Sequence, residues 1–234
     1  MPKPLREIVL DTETTGLDPA KGDRMVEIGC IELINHMPSG TTFQRYLNPE
    51  RDMPAAAFAV HGLSNEFLAG KPLFAEVADD FFGFVGSDPL IIHNAAFDLG
   101  FIDAELVRLG RPPLARDAVV DTLLIARRKF PGAPASLDAL CRRFAVDSST
   151  RDVHGALLDA QLLAEVYLAL IGGRQPGLGL NADDGGAVVQ PAAASASAET
   201  GSHARPPRPH APDPAEIEAH TMFIDGLKDP LWRR

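Results

Sequence analysis

The sequence predicts an α/β fold: a mixed five-stranded sheet flanked by helices, followed by a flexible linker and a short C-terminal helical tail. Two observations carry the sheet. Five short apolar runs lie between Glu7 and Asp121, and helical spacing separates the later ones, the pattern of strands joined by crossover helices. A third observation, the abrupt change of composition after Gly173, sets this domain apart from the rest of the chain.

Glu7–Leu10 is an apolar run that leads into Asp11, as a buried strand with a carboxylate at its end would. Thr14, Thr15 and Gly16 then supply a turn, with Gly16 expected at positive φ. Val26–Ile34 and Thr41–Leu47 read as two further strands joined by the turn-rich segment Asn35–Gly40, completing an antiparallel meander. In Leu73–Val85 the apolar residues Phe74, Val77, Phe81 and Val85 recur with helical spacing. Leu90–His93 is a short buried strand, and Phe97–Leu109 a helix stopped by Gly110 and the pair Pro112-Pro113. Ala118–Asp121 is the fifth strand. Ser136 caps a helix through Phe144, and the last domain helix runs from Gly155 to Ile171, ending at Gly172-Gly173.

A chain of 234 residues with 45% hydrophobic content holds one domain of roughly 150–180 residues plus extensions, not two full domains. Cys30 and Cys141 are too few for a disulfide framework or a zinc site, which fits a reducing cytoplasm. Only Ile8-Val9-Leu10 precede the acidic Asp11, so no signal-peptide core is expected. No apolar run approaches the roughly 20 residues that cross a membrane. The formal charge of −10 divides into −8 over residues 1–172 and −2 over the remainder. Such a domain is poorly suited to clamping a long phosphate backbone, which takes many Lys and Arg contacts.

Three regions follow: a domain at 1–173, a linker at 174–212 and a tail at 213–234. The linker has no aromatic residue and no Ile, and Gly, Pro, Ala and Ser dominate it. A flexible chain of that length spans on the order of 35 Å. Order signals return at Asp213-Pro214-Ala215-Glu216, which reads as N-cap, first helical position and capping box. Ile217, Thr221, Ile224 and Lys228 share one face, with Met222, Phe223 and Leu227 beside it; Leu231 and Trp232 follow. A helix of about 14 residues is marginal alone in water, so the tail is expected to fold on a partner.

Three segments carry the chemistry: Asp11-Thr12-Glu13-Thr14-Thr15-Gly16, His93-Asn94-Ala95-Ala96-Phe97-Asp98 and His154-Gly155-Ala156-Leu157-Leu158-Asp159. Each has a plain structural reading when taken alone. An Asp-x-Glu ends many solvated strands, Asp98 suits a helix N-terminus, and His154 suits a solvated cap. Asp159 is different, because a carboxylate beside an apolar helix face is costly unless paired or metal-bound. Taken jointly, the carboxylates are hard oxygen ligands for Mg²⁺ or Mn²⁺, and His154 adds a titratable base. The combination reads as phosphodiester hydrolysis assisted by two divalent cations roughly 4 Å apart. His93 reads as a packed, hydrogen-bonded histidine. Phe97 suits stacking on a base and core packing equally.

These segments resemble the ExoI, ExoII and ExoIII motifs of the DEDDh 3′–5′ exonucleases, a family with a ribonuclease H-like fold, over residues 5–172. His-x4-Asp in place of Tyr-x3-Asp matches the histidine branch. The resemblance implies that Asp11, Glu13 and Asp159 bind metal directly, that Asp98 does so partly through water, and that His154 is the general base. Val60-His61-Gly62-Leu63 is similar to a family segment beside the terminal nucleotide, although a plain loop histidine fits His61 equally well. Thr14, His61 and Phe97 are the candidate substrate contacts. Glu216-Ile217-Glu218-Ala219-His220 and Leu231-Trp232-Arg233-Arg234 resemble the end of the proofreading subunits of bacterial replicative polymerases. That likeness implies a DNA 3′ end as substrate, a polymerase catalytic subunit bound through 213–234, and a place in a nucleoid-associated bacterial replisome. Gln175-Pro176-Gly177-Leu178-Gly179-Leu180 resembles a sliding-clamp-binding peptide, its Gly-rich end departing from the preferred bulky one. Two alternatives stand beside this reading. A stand-alone enzyme trimming RNA or short oligonucleotides would need no tail, and a purely structural polymerase subunit would lack a ligand or the base.

Overall fold

The computed structural model describes residues 4–149, 153–172 and 214–226. They fall in two compact units, Met1–Ala182 and Asp183–Arg234. The expected linker, the 175–180 peptide, Asp213, Lys228 and Trp232 lie outside the described residues.

In the first unit, β1 (Arg6–Thr14) pairs antiparallel with β2 (Met25–Ile34), which pairs antiparallel with β3 (Met37–Tyr46). Three helices follow: α1 (Ala55–His61), α2 (Asn65–Ala69) and α3 (Phe74–Val85). Then come β4 (Leu90–Ile92), α4 (Ala95–Arg108), β5 (Val119–Asp121), α5 (Thr122–Lys129), α6 (Leu137–Phe144) and α7 (Ala156–Leu170). The sheet has five strands in the order β3-β2-β1-β4-β5, with β1–β4 and β4–β5 parallel. Parallel neighbours need crossovers, which α3 and α4 provide.

Strand alternation decides where the site lies. Ile8 and Leu10 face α3 and α4, packing with Phe81, Leu99 and Ile102, whereas Val9 faces α7 and packs with Leu163 and Tyr167. Successive strand side chains take opposite faces, so Asp11 and Glu13 share the α7 face and Thr12 shares the α4 face. A third cluster, including Ala126, Leu140 and Leu162, seals α5 and α6 against α7.

The structure corrects several expectations. β1 carries both Asp11 and Glu13 and runs through Thr14, so that Asp11 and Glu13 pair with Gly29 and Glu27 of β2. The ladder is irregular between Glu13 and Thr14, where the register shifts. Gly16 is not among the positive-φ residues. Its place is tight instead, since a Cβ would lie 2.3 Å from the Asp23 carboxylate, which would have to turn away. The expected six-residue turn after β2 shrinks to Asn35-His36, with φ of 51° and 66°, because a turn of this hand matches the twist of the flanking strands. β3 therefore starts at Met37, and Pro38 is tolerated because β3 is an edge strand. α1, α2 and α5 have no counterpart in the sequence reading. In the second unit, α8 (Pro214–Asp225) opens on the expected proline and leaves Ile217, Met222 and Phe223 exposed.

Candidate active site

Glu13, at the end of β1, is 8% exposed, and Asp159, four residues into α7, is 4% exposed. His154 precedes α7 with a side chain 45% exposed, and its Nδ1 lies 3.2 Å from Asp159 Oδ2. One donor atom each from Glu13, His154 and Asp159 fall within 4.8 Å of one another. Two buried carboxylates and an imidazole at that spacing fit a hard divalent cation, which offsets the cost of gathering like charges out of water. Asp11 stands two residues back on the same strand face, opposite Gly29.

Asp98 arrives from the other side of the sheet. It sits in the first turns of α4, is 3% exposed, and accepts a 2.8 Å hydrogen bond from the Thr12 hydroxyl, between the two β1 carboxylates. Burial pushes its carboxyl up to about 7, against the pull of the Thr12 hydroxyl and nearby backbone amides. The start of α4 is fixed by Asp121 at the end of β5. Its carboxylate accepts from Asn94 and Ala95 at 3.3 and 3.1 Å, and from Leu123 at 2.9 Å, so one side chain anchors both α4 and α5. Farther along α4, buried Glu105 takes a forked ion pair from Arg24 at 2.6 and 2.9 Å. Arg24 in turn pins the segment after β1: its carbonyl accepts from the Thr15 amide at 2.8 Å, and its own amide donates to the Thr15 hydroxyl at 3.0 Å.

α7 is located by β2. Gly155 offers no side-chain cap, and the Ala156 amide donates instead to Glu27 Oε2 at 3.1 Å. Glu27 is 2% exposed, its other oxygen takes a 2.7 Å bond from Gln44, and burial pushes its carboxyl up. A Cβ on Gly29 would come within 2.3 Å of the Ala156–Leu157 backbone, so the helix rests directly on the strand. Glu27 and Gly29 escaped the sequence reading. The available signal was a charge and a glycine inside the otherwise apolar run Met25-Val26-Glu27-Ile28-Gly29-Cys30.

Beside Glu13 opens a mainly apolar groove of about 560 Å³, lined by Thr12–Leu17 together with Ala57, Val60 and Phe97 among others. Thr14 and Phe97 are thus in its wall, and Phe97 also packs on Phe101 with ring centroids 5.1 Å apart. His61 is not a lining residue. It ends α1 rather than sitting in a loop, is 4% exposed, and accepts from the Leu63 amide through Nδ1. Its buried Nε2 has no hydrogen-bond partner among the described residues, and burial lowers its pKa. His93 is packed as expected, with Nδ1 2.9 Å from the Thr122 hydroxyl.

A cluster of buried carboxylates with an accessible imidazole, opening on a groove large enough for a nucleotide, defines a divalent-metal-dependent hydrolase. Residues 8–167 match the family described as Exonuclease. The chain is 58% identical over 174 residues to the DNA polymerase III subunit epsilon of Rickettsia prowazekii, covering 73% of this chain and 76% of that protein. It is 50% identical over 176 residues to the same subunit of Escherichia coli, covering 72% of each. The chain belongs to this exonuclease family, in the company of the epsilon subunits of bacterial DNA polymerase III. Among solved structures, Exonuclease X in complex with 5′-overhanging duplex DNA superposes with a TM-score of 0.57 and 25% identity, over 70% of this chain and 90% of that one. The nuclease domain of 3′hExo, a DEDDh family member bound to rAMP, gives 0.60 at 18% identity, over 71% and 91%, and shares the ribonuclease H-like fold. Among the described residues, no helix is long and apolar enough to cross a membrane.

Proposed function

We propose that this chain is a 3′–5′ exodeoxyribonuclease that removes mispaired 3′-terminal nucleotides as the proofreading subunit of a replicative polymerase. The observation that carries the reading is the convergence of Glu13, Asp159 and His154 donor atoms within 4.8 Å, from β1 and the start of α7, at the mouth of an apolar groove. Asp11, Glu13 and Asp159 would hold two divalent cations, Mg²⁺ or Mn²⁺, directly, with Asp98 acting partly through water. When bound, the cations supply polarisation of the phosphate and charge stabilisation at the leaving oxygen. His154 takes the proton from the attacking water, and its exposure gives water access. Its Nδ1 rests 3.2 Å from Asp159 Oδ2, which holds the ring in place beside the carboxylates. The groove receives the terminal nucleotide, with Thr14 and Phe97 in its wall and His61 supporting the wall from α1.

The three regions divide the work. Residues 1–173 cleave, 174–212 tether, and 213–234 hold the polymerase catalytic subunit, with 175–180 a peptide for the sliding clamp. Tethering raises the local concentration of the DNA end, which an acidic domain would otherwise bind weakly. The experiment is digestion of a 5′-labelled DNA primer, paired and 3′-mispaired, beside the matching RNA, with Mg²⁺ and with Mn²⁺. A ladder shortening from the 3′ end, fastest on the mispaired DNA, is the expected result. Preference for RNA would move the chain to stand-alone trimming, and no cleavage with either metal would leave only a structural subunit.

A further inference from the structure

Glu27 is absent from the family-like motifs, yet it occupies a central place in the site. It lies directly across the β1–β2 ladder from Glu13, and Gly29 lies across from Asp11. Both face α7. The helix starts without a local cap, because Gly155 has no side chain to accept from the first turn. Its opening amides are instead served from the sheet, with Ala156 N donating to Glu27 Oε2 at 3.1 Å. Gln44 of β3 holds Oε1 at 2.7 Å, so the carboxylate is fixed from both sides.

A cap at position 155 would terminate the helix without locating it. A cap projected from β2 does more, because it ties the helix end to the strand that sets the register of Glu13. The two site residues of this region flank the anchored turn. Asp159 N donates to Gly155 O at 2.8 Å, one turn inside, while His154 N donates to Val60 O at 3.0 Å, just outside. Moving the Ala156 end therefore moves Asp159 and His154 together against Glu13. We propose that Glu27 is a positioning residue of the hydrolytic site, setting the distance between the β1 carboxylate and the His154–Asp159 pair through the N-terminus of α7. This rests on the exonuclease reading for its kinetic arm, but not for its structural one.

The test compares Glu27→Ala, which removes the cap, with Glu27→Gln, which keeps an acceptor oxygen, in the full chain. Amide hydrogen exchange is followed by mass spectrometry on metal-free protein, and cleavage of single-stranded 5′-labelled DNA is followed over a Mg²⁺ series. In Glu27→Ala, faster exchange confined to residues 156–160 is expected, with β1 amides as in wild type. The same variant should show kcat down about 10–100-fold and a several-fold higher Mg²⁺ requirement, the usual scale for losing a group that orients a metal ligand. Glu27→Gln should recover most of both. If Glu27→Ala does not fold, Gln44→Ala removes only the brace on Oε1 and should move both readouts in the same direction by a smaller amount. Unchanged exchange at 156–160 would overturn the proposal. So would equal kcat losses in Glu27→Ala and Glu27→Gln, since position alone would then not explain the effect. An inactive wild type with the exchange pattern intact would instead overturn the exonuclease reading and leave the anchoring standing.

Discussion

At 3% exposure and with the Thr12 hydroxyl as its near partner, Asp98 ionises only against the cost of leaving water. Its folded pKa is raised from 3.8 to about 7. The sign follows directly. A carboxyl whose folded pKa exceeds its unfolded value stabilises the fold when protonated, so the contribution is complete below about pH 4 and disappears as pH rises through about 7. Metal-free protein should therefore lose stability between pH 5 and pH 8, and Asp98→Asn should flatten that loss while abolishing cleavage. Thermal melts in EDTA at the two pH values check it, and an equal drop in wild type and variant would refute the assignment. His154 makes the opposite case. Because its side chain is 45% exposed, His154→Ala should leave the melting temperature within about 2 °C, as surface changes do, while lowering kcat about 10²–10⁴-fold, the range for a lost general base. Single-turnover cleavage beside a melt separates the two effects.

Close approach rather than propensity governs the elements around the site. α7 sits on Gly29 with no room for a methyl group. Gly29→Ala should cost about 1–3 kcal/mol in urea unfolding, as overpacking does, and should reduce cleavage with it because Asp159 rides on the displaced helix. An activity loss without a stability loss would point to a different cause. At the other end of the site, Asp121 anchors α4 and α5 together. Asp121→Ala should cost roughly 0.5–2 kcal/mol for each helix start it leaves uncapped, measurable by the same titration. The elements the sequence missed were short or locally capped. α1 and α2 have seven and five residues, too few to display a helical period, and α5 has an N-cap signal in Asp121 that also ends a strand. The strands were read correctly in number because alternation and apolar content persist over several residues. The start of β3 was not, because the polar, Gly- and Pro-containing segment Asn35–Gly40 looks like a turn until β2 is seen beside it.

On the scale of the whole molecule, the acidic domain and the tail define one expectation. A chain ending at residue 172 should cleave single-stranded DNA at a rate within about twofold of the full chain, because residues 1–172 hold all five proposed active-site residues, yet fail to co-purify with the polymerase catalytic subunit. Gel filtration of the mixed proteins checks this, and retained association would remove the tail from its proposed role. The sequence singles out Asp11, Glu13, Asp98, His154 and Asp159 in three short segments, and the fold brings donor atoms of Glu13, His154 and Asp159 within 4.8 Å of one another. The sequence by itself determined the number of strands, the apolar faces of the longer helices and the chemistry of the candidate donors, because alternation, periodicity and residue type are local properties. Only the tertiary structure decided that Asp98 bonds Thr12 from the opposite face of the sheet, and that Glu27 and Gly29 seat the helix carrying Asp159. Those contacts join residues 86 and 129 positions apart, across elements whose distance and orientation are set by packing rather than by any local pattern.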